Sequence, residues 1–172
     1  MLRLLGALLV LVGSTGYGFA LYIELNEGLI NARTILYILD AFLSEVGFRR
    51  LSLPECCRAI SKECETPYSQ MLANVYRTYE IERKGEFASC WKASMEEGLK
   101  GVPMSMEEKK VVCNLFEGVA IYDLERQKSI LENGKMRMEN FRKKREQEIA
   151  EKKKIYTSLG FMVGALLVLI LI

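Results

Sequence analysis

The chain has 172 residues, with 24 lysines and arginines against 22 acidic residues, five cysteines and no histidine. A formal net charge of +2 leaves no basic surplus of the kind that nucleic-acid phosphates call for, so a nucleic-acid partner is not expected. The lack of histidine removes the side chain most used for general-base and metal work near neutral pH.

In chain order, the first feature is a run from Leu4 to Ile23 without a charged residue. About 20 apolar residues reach across the roughly 30 Å of bilayer hydrocarbon, so residues 1–23 are predicted to form a transmembrane helix. Gly6, Gly13, Gly16 and Gly18, with Ser14 and Thr15, suit close helix pairing, although glycine is common in membrane helices generally. A secretory signal is the rival reading, with Arg3, the apolar stretch Leu4 to Val12, and Gly18 and Ala20 at cleavage spacing.

Residues 24–134 are predicted to be a helical bundle domain. Apolar residues recur at three and four rather than at two: Ile35, Leu36, Leu39, Phe42, Leu43 and Val46 make one stripe, and Val111, Val112, Leu115, Phe116 and Val119 another. The first helix continues from the anchor or restarts after Gly28, and Gly47 is placed to end it. Ser52-Leu53-Pro54-Glu55 puts a hydroxyl at the N-cap and a carboxylate three residues on, each able to satisfy a backbone N–H that the first turn leaves free. Pro54 is harmless there, because a first-turn N–H has no helical partner to lose. Thr66 with Pro67 marks a second start, and Ser105 with Glu108 a third that repeats the capping-box spacing. Gly85 separates a helix holding Met71, Leu72, Val75 and Tyr79 from one holding Phe87, Trp91 and Met95, which Gly98, Gly101 and Pro103 stop. Helices joined by such short turns suit a compact antiparallel bundle.

After Asn133 and Gly134, which break or loosen the helix, the composition becomes charged. Residues 135–155 read as a solvated helical stalk, with Glu139–Lys143 and Glu148–Lys152 at the favourable i,i+4 spacing. Lys152, Lys153 and Lys154 would sit at headgroup level against anionic lipid. From Tyr156 to Ile172 no residue is charged, and residues 156–172 are predicted to form a second transmembrane helix. The fold class expected is therefore all-α, an antiparallel helical bundle between an N-terminal and a C-terminal transmembrane helix. Basic residues cluster on the domain side of the second anchor, which places the bundle in the cytoplasm by the positive-inside tendency.

Little in the chain points to chemistry. It has no phosphate-binding Gly-rich loop and no Gly-x-Ser-x-Gly elbow, so neither a cofactor nor a small-molecule substrate is expected. Cys56, Cys57 and Cys64 lack the paired spacings of a zinc site, so no metal is expected. An odd number of cysteines, two of them adjacent, argues for reduced thiols in a reducing compartment rather than a bridge framework. The one catalytic thread is Cys56 or Cys57 as a nucleophile, near Arg58 and the helix start at Pro54. Leu53, Pro54 and Glu55 either form a helix start or present a turn to a partner. Trp91 is a core residue or an interface anchor. Asp123 and Gln127, one turn apart, are an interhelical pair or solvated.

The layout resembles the stage III sporulation protein AB family over essentially the full length. The resemblance is carried by Met1-Leu2-Arg3-Leu4-Leu5-Gly6-Ala7, Leu53-Pro54-Glu55, Trp91 followed by Leu99, Asp123 with Gln127, and the closing Tyr156, Leu159-Gly160-Phe161 and Gly164. One departure is Val119-Ala120, where the family pattern has a Leu-Gly pair before the Asp. The resemblance implies a non-catalytic platform component of a secretion-like channel complex, in the mother-cell membrane around the forespore. Its soluble part looks like the cytoplasmic domain of the F-type platform protein of type II secretion, which implies a secretion-type ATPase and other channel subunits as partners. Two other readings stay open: a small two-anchor membrane tether unrelated to sporulation, and a thiol-dependent membrane enzyme.

Overall fold

The computed structural model describes Ile23, residues 26–118 and residues 123–171, with side chains as far as Glu151. Helix α1 covers residues 26–44 and closes in a π turn, Glu45–Arg49. It is followed by α2, Leu53–Ile60, and α3, Tyr68–Tyr76. A second π turn, Arg77–Ile81, continues α3. Then come α4, Phe87–Gly98, α5, Met106–Cys113, and α6, Leu124–Leu171. There is no strand among the described residues.

The chain divides into two compact units, Ile30–Arg142 and the pair of end segments Met1–Leu29 and Lys143–Ile172. The described part of the end segments is helical. Among the described residues no helix is long and apolar enough to cross a membrane. Apart from Ile23 and the helical backbone of α6, the two predicted anchors lie outside the described residues.

The larger unit is built from the faces that periodicity predicts. Ile35, Leu39, Phe42 and Val46 of α1, Met71, Leu72 and Val75 of α3, and Phe87, Trp91 and Met95 of α4 all enter one core. Leu53, Cys56, Cys57 and Ile60 supply the inner face of α2, and Leu131 and Met138 that of α6. Removing apolar area of this kind from water is the main drive for folding. Adjacent helices run antiparallel where contacts fix their direction. Lys135 bridges Asp40 at 2.5 Å, while a side chain at Gly47 would meet Lys128, so α6 descends as α1 rises. Tyr79 packs edge-on against Phe87 at 5.7 Å, and Asn74 Nδ2 donates to Ser94 Oγ at 3.3 Å, which aligns α3 with α4.

Several expected boundaries move, each for a packing or hydrogen-bonding reason. Gly28 lies inside α1 and is buried. The helix ends not at Gly47 but at Arg50, in the left-handed region at φ 54°, where Leu51 N–H reaches back to the Glu45 carbonyl at 3.2 Å. The second π turn ends the same way: Arg83 has φ 53°, and Lys84 N–H donates to the Thr78 carbonyl at 3.1 Å. Helix α3 takes Pro67 rather than Thr66 as its N-cap. Helix α5 stops at Cys113, so Leu115 and Phe116 are buried from the following turn, and Val119 with the Val119-Ala120 departure lies outside the described residues.

Asn133 and Gly134 do not interrupt α6. A Cβ on Gly134 would stand 2.5 Å from Leu115 Cδ1, so this glycine marks a close helix approach. Met138 is fully buried beyond it and Phe141 packs on the same core. The packed unit therefore extends to Arg142 rather than giving way to a stalk at residue 135.

Candidate functional site

The residues singled out by the sequence fall into two settings, helix ends and core. Leu53 and Pro54 are buried in the first turn of α2. The Glu55 carboxylate turns back to accept from the Ser52 N–H at 3.0 Å and from the Ser52 hydroxyl at 2.7 Å. Those two bonds, the hydroxyl first, hold its pKa below the ordinary carboxylate value. Leu53, Pro54 and Glu55 thus begin a helix. The second box is tighter: Glu108 accepts from the Ser105 N–H at 2.6 Å, Ser105 Oγ accepts from the Glu108 N–H at 3.2 Å, and Glu108 is buried.

Asp123 is the cap of α6. Its side chain accepts from the Arg126 N–H at 3.0 Å and its carbonyl from the Gln127 N–H at 2.9 Å, while Gln127 is buried. Trp91 sits in an aromatic cluster, edge-on to Phe116 at 4.8 Å and to Phe42 at 5.8 Å. Its indole N–H donates to the Val112 carbonyl at 2.7 Å, which meets the need of a buried Trp for a polar partner. The side chains of Lys152, Lys153 and Lys154 lie outside the described residues.

The thiol reading is corrected. All five cysteines are free, and Cys56 and Cys57 are fully buried. Burial pushes the Cys56 thiol up to about 12, with the Glu45 and Glu55 carboxylates pushing the same way. Burial also holds the Cys57 thiol well above its ordinary value. A nucleophilic thiol needs the opposite setting, partly exposed and beside a cation. Cys56 instead points its S–H at the Leu51 carbonyl, 3.8 Å away. No cluster of three Cys, Asp or Glu side chains that could hold a metal ion occurs among the described residues.

Sequence reasoning missed the polar contacts between helices. Ser94 Oγ donates to the Met71 carbonyl at 2.8 Å, Tyr68 Oη to Asn31 at 2.9 Å and Tyr37 Oη to Glu63 at 3.2 Å. Such pairs carry no periodicity that a linear reading could detect. It also missed a groove of about 440 Å³ between α3 and α4, walled by Gln70, Asn74, Arg77 and Glu97 over Met71 and Gly98. Arg77 donates to Asn74 Oδ1 at 2.6 Å there and pairs with Glu82.

The described unit is an all-helical bundle in which the conspicuous residues end helices or fill the core. The chain belongs to the stage III sporulation protein AB family, whose sequence profile matches residues 3–172. It is 24% identical over 172 residues to stage III sporulation protein AB of Bacillus subtilis (strain 168), across 99% of each chain. A solved structure of stage III sporulation protein AB has the same fold, with a TM-score of 0.65 at 16% identity over 72% of this chain and 97% of that one. The family resemblance read from local motifs is thereby established, and with it a sporulation-associated role.

Proposed function

We propose that this chain is a non-catalytic membrane platform component of the mother-cell sporulation assembly. The observation that carries the reading is the extent of the family match, which runs through both apolar ends as well as the bundle. The uncharged runs Leu4–Ile23 and Tyr156–Ile172 hold the chain in the membrane around the forespore, and Lys152–Lys154 seat it at the headgroups. The basic residues flanking the second run keep the bundle on the cytoplasmic side. There it docks a secretion-type ATPase and neighbouring channel subunits.

This reading is supported by a core in which Cys56 and Cys57 are buried and the motif residues serve structure. A tether unrelated to sporulation does not fit the family. Carbonate-washed membranes of sporulating cells should retain the chain, and the detergent-solubilised protein should co-purify the assembly's ATPase. A deletion strain should stop after engulfment. Normal spores from a clean deletion, or release of the chain by the wash, would refute the proposal.

A further inference from the structure

We draw no further inference here: the strongest candidate, the groove of about 440 Å³ between α3 and α4, carries nothing, because Asn74, Ser94 and Arg77 on its walls are already hydrogen-bonded among themselves and nothing in the structure shows what covers it.

Discussion

Replacing Gly98 with alanine sets helix propensity against a close approach of α4 to α3. An alanine Cβ at this position would lie 2.7 Å from Met71 Sδ and 2.9 Å from its Cε, and closer still to its Cγ. Met71 is buried. Its terminal atoms have room to shift into the groove between α3 and α4, which Met71 and Gly98 both line. Its Cγ, tied to its own backbone, cannot move as far. Overpacking of this kind costs about 1–3 kcal/mol. Alanine gains at most ~1 kcal/mol over glycine in a helix interior, and less at the last residue of α4. The steric cost therefore wins, by about 1–2 kcal/mol, which lowers the melting midpoint of a domain of this size by roughly 4–8 °C per kcal/mol.

The assay is unfolding of the full-length protein in detergent, followed by fluorescence of Trp91. It is the only tryptophan in the chain and is buried in the bundle core, so its signal reports that unit alone. Met71→Ala by itself should cost about 2–5 kcal/mol. On that background Gly98→Ala should become neutral or stabilising, a coupling of at least ~1 kcal/mol in the double-mutant cycle. A higher midpoint for Gly98→Ala with Met71 intact would refute the close approach.

Three further outcomes follow from the same contacts. Trp91→Phe removes the donor to the Val112 carbonyl and leaves a gap beside Phe116 and Phe42, so stability should fall by about 1–3 kcal/mol, read by circular dichroism. Glu55 has a lowered pKa in the folded state, so its contribution is present above the unfolded value of about 4.3 and is lost as pH falls through the folded one. Glu55→Gln should flatten that acid limb by less than ~1 kcal/mol, since the group is exposed to solvent, and an unchanged limb in chemical denaturation would count against the capping bond. In the native protein at neutral pH a maleimide should label half-buried Cys64 before Cys56 or Cys57, which are fully buried; mass spectrometry showing early labelling at Cys56 would contradict the packing of α2.

What the sequence alone determined was local. The starts of α2 and α5 were legible because Ser52 with Glu55, and Ser105 with Glu108, satisfy their hydrogen bonds within four residues of chain. The inward faces were legible because a helix repeats its surface every turn. The family was legible because its motifs keep their order. Tertiary structure decided what depends on a distant neighbour. Gly98 ends α4 as a linear reading expects, and Met71 lies where its Cβ would be; Gly134 looks like a break in the same reading, but α6 runs through it and Leu115 lies where its Cβ would be. Met138 and Phe141 stand in a charged stretch that reads as solvated, yet the core reaches them. Cys56 sits near a helix start that could favour a thiolate, and burial overrides it. Hydrogen bonds and periodicity close within a few residues, whereas burial and close approach are set by residues far apart in the chain, and only folding brings those together.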